Sequence, residues 1–340
     1  MAAIAWEKVD RVPVIPLIIQ HAMKISKTPH SIYSTNAASM ASAQLYSHKK
    51  YGCDGLHITT DNQVLCEAFG GVVNFPYDEP PQIKRRALLD KDLSKLPKVT
   101  AKSGRMGVIC EATKIVRQEL HNGAFIKTNI DSGPFSAACS LRGEEELFTD
   151  LYDDESFVFD LLELCGSAII EYGKAAVEAG AHALTLGDST AGLMHPGFYE
   201  KFALPYAKHV ISELKKTGAP IFYHVCGNTS HVSHLLAQTG ADVLEIDSMV
   251  PFESMMQHIR GKVALEGNVS TIVALLNGSP GQVRSEAVAC MKPFGLNGGL
   301  VLSSGCEVPP FTKEENILAM VDAAREGMGQ DPESGPVGKP

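Results

Sequence analysis

His224 and Cys226 stand one residue apart, and Cys306 follows far downstream. In an extended segment, side chains two apart project to the same side. An imidazole nitrogen beside a thiolate is a donor pair that suits Zn²⁺, and Cys306 offers a third ligand. Three protein ligands with one position left open is the catalytic pattern; a structural site is closed with four. The competing reading is a core histidine beside buried thiols. His231 and His234 lie close by but begin in the following helix, and are read as surface or supporting groups.

These residues need a scaffold that brings distant strand ends together. Strand-like runs recur at 11–19, 54–60, 124–129, 182–186, 220–224, 242–246, 263–266 and 299–303. Helical runs separate them, at about 35–50, 107–121, 155–179, 197–217, 230–239, 252–259, 270–276, 280–292 and 312–326, the last opened by a Thr312/Glu315 capping box. Alternating strands and helices predict right-handed βαβ units and a parallel sheet. Eight such units in one stretch favour a single (β/α)8 TIM barrel of the α/β class over an open doubly wound sheet. An open sheet would announce a Gly-rich phosphate loop after its first strand, and none is present. Residues 61–106 read as an irregular excursion on one rim. The barrel is assigned to 1–329 and a flexible Pro/Gly/polar tail to 330–340.

In such a barrel the chemistry sits where strands end. Asn129, Asp131, Asp188, His224, Asp247, Asn268, Cys306 and Glu307 all fall there. Asn129, Asp188, Asn268 and Glu307 are candidate substrate contacts. For Asp188 and Asn268 the alternative is capping of the next helix.

Composition narrows the partners. The 340 residues are 44% hydrophobic and 20% charged, which is a globular balance, with a net charge of −9. The densest basic run is Lys84-Arg85-Arg86, too short for the basic face that nucleic acid requires. No apolar run approaches the ~18–20 residues of a membrane span. Eight cysteines without a secretory signal predict reduced thiols and a cytoplasmic location. Of these, Cys226 and Cys306 are the ligand candidates, Cys139 stays open, and the other five are read as packing residues.

Residues 7–14, the His224-Val-Cys-Gly-Asn228 run, Gly267-Asn-Val-Ser270 and Gly305-Cys-Glu-Val-Pro-Pro310 together resemble the uroporphyrinogen decarboxylase superfamily. The resemblance is to its zinc-dependent corrinoid methyltransferase branch, which includes methylcobamide:coenzyme M methyltransferases. It spans nearly the whole chain and implies a (β/α)8 barrel. It implies zinc on His224, Cys226 and Cys306, with a carboxylate at Asp247 as fourth ligand; Glu245, two residues earlier on the same side of the strand, is the alternative. It further implies a methylated corrinoid as donor, a corrinoid protein as partner and a small-molecule acceptor such as coenzyme M or another thiol. Loops at 61–106 and 131–150 are candidates for the surface that meets the corrin. True decarboxylases hold propionates with an Arg-rich segment after the first strand, whereas this chain has no arginine between Arg11 and Arg85. A uroporphyrinogen-type decarboxylase, a zinc hydrolase and a non-catalytic corrinoid-binding barrel are the rival readings.

Overall fold

A computed structural model describes residues 1–327. The predicted tail, 330–340, lies outside them. Nine strands occur: β1 (Gly55–Ile58), β2 (Val72–Asn74), β3 (Gln82–Arg85), β4 (Phe125–Ser132), β5 (Ala183–Gly187), β6 (Ile221–Val225), β7 (Val243–Ile246), β8 (Ala264–Val269) and β9 (Leu300–Ser304). Seven form one parallel sheet in the order β1-β4-β5-β6-β7-β8-β9. Chain order equals spatial order, as in an α/β barrel. The strands are buried on both faces, which parallel sheets require because helices cover them.

The expected first strand, 11–19, is not a regular strand. It makes one parallel bridge, Val14 to Leu302. Even so, it closes the ring: Ile15 N–H donates to Leu302 O, Leu302 N–H to Pro13 O, and Asp54 N–H to Val14 O. The segment thus bonds to both edges of the sheet. Pro13 and Pro16 explain the shortfall, since neither has a backbone N–H to extend a ladder. A side-chain latch takes over. Asp54 accepts from Val14 N–H at 2.8 Å and pairs with the Arg11 guanidinium. Asp54→Ala should therefore cost about 1–3 kcal/mol, the loss expected when such bonds go unmade. Urea unfolding with an unchanged m-value would measure it.

The rim excursion has more order than its composition suggested. It holds a helix at Val64–Ala68, the antiparallel β2/β3 hairpin and a short turn at Leu93–Lys95. Arg105 ties it together by pairing with Asp61 and Glu67 under the Phe75 ring. Three local expectations fail. The last helix begins at Glu314 with no side-chain cap, so Thr312 and Glu315 form no capping box. A capping box does occur at Ser279 and Gln282, opening Pro280–Met291. The helix expected over 197–217 is broken by a π turn at Tyr199–Ala203, and 270–276 is likewise a π turn. No helix among the described residues is long and apolar enough to cross a membrane.

Candidate metal centre

The three predicted ligands converge. His224 sits at the end of β6, Cys226 just beyond it, and Cys306 just past β9. Their ligand atoms all lie within 4.8 Å of one another. His224 Nε2 is 2.7 Å from Cys226 Sγ, and the two sulfurs are 3.5 Å apart. No other group of three or more His, Cys, Asp and Glu side chains among the described residues is placed this way.

Local backbone chemistry sets the geometry. Gly227 follows Cys226 at φ +80°, a left-handed conformation that favours glycine, and its N–H donates to Asp247 Oδ2 at 3.0 Å. Ser189 Oγ accepts from the Cys226 N–H at 3.3 Å. On the other side, a Cβ on Gly305 would meet Ser248 N at 2.5 Å. The Cys306 loop therefore packs backbone to backbone on the loop after β7. Gly305→Ala should push Cys306 off its position, at a cost of roughly 1–3 kcal/mol for overpacking. Thermal melting and faster loss of bound zinc to a chelator would register it.

The electrostatics fit a cation. Hydrogen bonding from Cys306 and His224 holds the Cys226 thiol far below its ordinary range, at about 4, against burial. The bond to Cys226 and burial push Cys306 up. Against burial, hydrogen bonds to Cys226 and Cys306 and the nearby Glu245 carboxylate raise His224 well above its ordinary value, so Cys306 and His224 hold protons that a dication would displace, thiolate and neutral imidazole being the ligating forms. Burial pushes the other six cysteines up instead, to about 12 at Cys53 and about 11 at Cys110 and Cys290. Cys139, left open by the sequence, is a packing residue in the helix Pro134–Arg142. Two thiolates and one imidazole are a donor set that suits zinc.

The expected fourth ligand is placed elsewhere. Asp247 is occupied by the N–H groups of Gly227 and Met249 and by the Ser248 hydroxyl, and its oxygens are not in the cluster. Glu245 takes a different part. Its Oε2 lies 3.4 Å from His224 Nδ1, behind the ring, while Nε2 faces the sulfurs. At 3.4 Å it makes no hydrogen bond to Nδ1, but a carboxylate in that place is the usual partner of a ligating histidine.

The four candidate substrate contacts are all engaged by the protein's own groups. Asp188 is fully buried and accepts from Ser136 N–H and the Tyr223 hydroxyl, so it caps the helix Pro134–Arg142 rather than the helix that follows it. Asn268 donates to the carbonyls of Asp247 and Val250. Asn129 accepts from Asp131 N–H. Glu307 accepts from the N–H and side chain of Gln20, at the start of the helix Gln20–Ser26. Their short polar side chains satisfy loop backbone at the strand ends, the commonest use of such residues there.

Residues 1–327 match the family model described as Uroporphyrinogen decarboxylase (URO-D). The chain belongs to this family. Methylcobamide:CoM methyltransferase MtbA of Methanosarcina acetivorans is 28% identical over 330 residues, covering 95% of each chain. The uroporphyrinogen decarboxylase of Paraburkholderia phytofirmans is 26% identical over 289 residues, 80% of this chain and 77% of its own. Among solved structures, a methyltransferase from Methanosarcina mazei matches with a TM-score of 0.87 at 26% identity, covering 96% of both chains. The URO-D family thus includes relatives of two activities, and the methyltransferases align with more of this member.

The mouth around the cluster is apolar at its edge. Leu193, Met249, Ile272, Val273 and Phe311 are 53–75% exposed, and they sit on the loops after β5, β7, β8 and β9. Within 131–150, residues 134–139 are buried, with Phe135 packed as core, while Glu144, Glu145, Glu146 and Thr149 are exposed. Within 61–106, Tyr77 and Leu89 are exposed. A separate cavity of about 270 Å³ lies at the opposite end of the barrel, among Met1, Ile4, Arg11, Phe125 and Phe222, away from the ligand cluster.

Proposed function

We propose that this protein moves a methyl group from a methylated corrinoid, carried by a partner protein, to a thiol acceptor, with zinc held by His224, Cys226 and Cys306. The observation that carries the reading is the convergence of those three donors at the strand ends of a barrel. The methyltransferase relatives supply the reaction class.

Zinc in this site would supply the acidity that turns an acceptor thiol into a nucleophilic thiolate at neutral pH. The protein's own groups do the rest. Cys226 and Cys306 bring two negative charges, and with a neutral His224 they balance a dication, which keeps the acceptor sulfur electron-rich. Glu245 behind Nδ1 keeps the ring in the tautomer whose Nε2 carries the free lone pair. Ser189 and Gly227 lock the backbone on either side of Cys226. The exposed apolar side chains on the four loops form an edge that a flat macrocycle and its carrier protein can cover, which also excludes water. Eight unpaired cysteines fit a reducing compartment, and we place the protein in the cytoplasm.

A polycarboxylate substrate is served poorly here. Arg105 spends its guanidinium on Asp61 and Glu67, and Arg86 donates to the carbonyls of Cys139 and Ser140. The helix Gln20–Ser26 that follows the first segment carries no arginine.

The test is demethylation of free methylcobalamin, followed by its visible spectrum. Zinc-loaded protein is offered coenzyme M, other small thiols and tetrahydrofolate one at a time. Loss of the methylcobalamin spectrum with a thiol, and no loss after zinc is stripped, is the expected result. A zinc-replete protein that turns over none of these acceptors contradicts the proposal.

A further inference from the structure

Beneath the ligand cluster the barrel interior carries charge where apolar side chains would fill the space. Lys127, in the middle of β4, is 0% exposed. Its Nζ donates to Glu245 Oε1 at 2.6 Å and to Glu266 Oε2 at 2.5 Å, and lies 4.0 Å from the centre of the Phe222 ring. Thr185 adds a bond to Glu245 Oε1, and His57 Nε2 stands 3.9 Å from Glu266 Oε1. The sheet register makes these residues neighbours: His57 lies beside Lys127, His224 beside Glu245, and Glu245 beside Glu266.

Such a layer is a poor device for stability. Replacing a buried ion pair or triad by well-packed apolar groups is often neutral or stabilising. Its geometry instead points upward. Glu245 uses its two oxygens in opposite directions, Oε1 down to Lys127 and Thr185, and Oε2 up to His224 Nδ1. Oε1 is held from two sides, and Oε2 stands 3.4 Å from a His224 Nδ1 that makes no hydrogen bond in this arrangement.

We propose that Lys127, braced by Glu266, is a positioning residue for the metal centre, fixing Glu245 so that His224 presents Nε2 as its ligand atom. The inference rests on the zinc reading above. Lys127 touches neither ligand nor substrate; it acts through Glu245. Glu266 holds the ammonium from the far side, so that one Lys127 faces two carboxylates while the imidazoles of His57 and His224 complete the layer. Burial pushes His57 down to about 3, so its ring is neutral and adds no competing cation beside Glu266.

The experiment compares zinc affinity, by chelator competition, with the melting temperature of the metal-free protein. The double variant Lys127→Met with Glu266→Gln removes one positive and one negative charge and leaves Glu245 in place. Partners that orient a ligating histidine are worth about 10- to 100-fold in metal affinity. The proposal therefore expects at least a tenfold weaker zinc site in a variant whose metal-free form still melts cooperatively. Unchanged zinc affinity overturns it. Should the double variant fail to fold, Glu266→Gln alone decides the matter. It takes away the charged brace on Lys127, so zinc affinity must fall by at least about threefold, and an unchanged affinity overturns the proposal. Wild-type protein that takes up no zinc refutes the metal reading itself, a result distinct from either variant's failure.

Discussion

Cys306→Ala is expected to lose both the metal and the activity while keeping the fold. One of three donors disappears, and the remaining His224 and Cys226 cannot hold zinc against a chelator. Acceptor activation by a metal supplies several kcal/mol of barrier lowering, so thiol-dependent demethylation should fall by about 10³-fold or more. Cys226→Ala should do the same. The two should not be additive, because each alone empties one site. Cys139→Ala is the control: it sits in the packed helix Pro134–Arg142, and its loss should change stability by a few kcal/mol at most without changing zinc content. Zinc content by mass spectrometry of metals, read beside the methylcobalamin spectrum, checks all three. A Cys306→Ala protein that still carries one zinc would remove that thiol from the site.

The second large effect is on stability. Lys127→Met alone strands two carboxylates, Glu245 and Glu266, in the barrel interior. Breaking a buried pair by removing one partner costs about 3–5 kcal/mol. The size of the loss should depend on pH. Burial already pushes Glu266 up to about 7 from its ordinary 4.5, even with Lys127 beside it. An acid raised in this way stabilises the folded state below its unfolded pKa and loses that stabilisation as pH rises through the folded one. Without Lys127 the carboxyl moves further up. The deficit against the wild type should therefore be greatest above pH ~7 and shrink as the pH falls toward ~5. Chemical unfolding at two pH values measures it. A deficit equal at both would show that the carboxylates do not titrate with folding.

The convergence of His224, Cys226 and Cys306 was legible because its signals are local. A His-x-Cys at a strand end followed by Gly-Asn, and a Gly-Cys-Glu at another strand end, place three donors on one rim once the strands are known to be parallel. The other polar strand ends misled. Asp188, Asn268 and Glu307 have the residue types of substrate contacts, but the same types cap helices and tie loops, and only the fold shows which donors lie nearby. Asp247 stands outside the cluster and bonds to loop N–H groups instead, Gly227 N–H among them. Lys127 and Glu266 went unread although their signal is plain in the chain: each is a charged residue within an otherwise strand-like run. Such a residue must be edge-exposed or paired inside, and the count of parallel strands leaves only the inside. The first segment was read as a strand from its apolar run, while its two prolines argued for the single bridge it makes. The π turns and the rim hairpin depend on tertiary packing, and no periodicity announces them.

The central claim is that His224, Cys226 and Cys306 together hold one metal ion. Cobalt substitution tests it most directly, because thiolate ligands give Co²⁺ intense charge-transfer absorption that oxygen and nitrogen donors do not. The account predicts that one equivalent of Co²⁺ produces this absorption in the wild type, that the band is lost in Cys226→Ala and in Cys306→Ala, and that it strengthens in the wild type when a thiol acceptor is added. Absorption without a thiolate band, or a band indifferent to both substitutions, would contradict it.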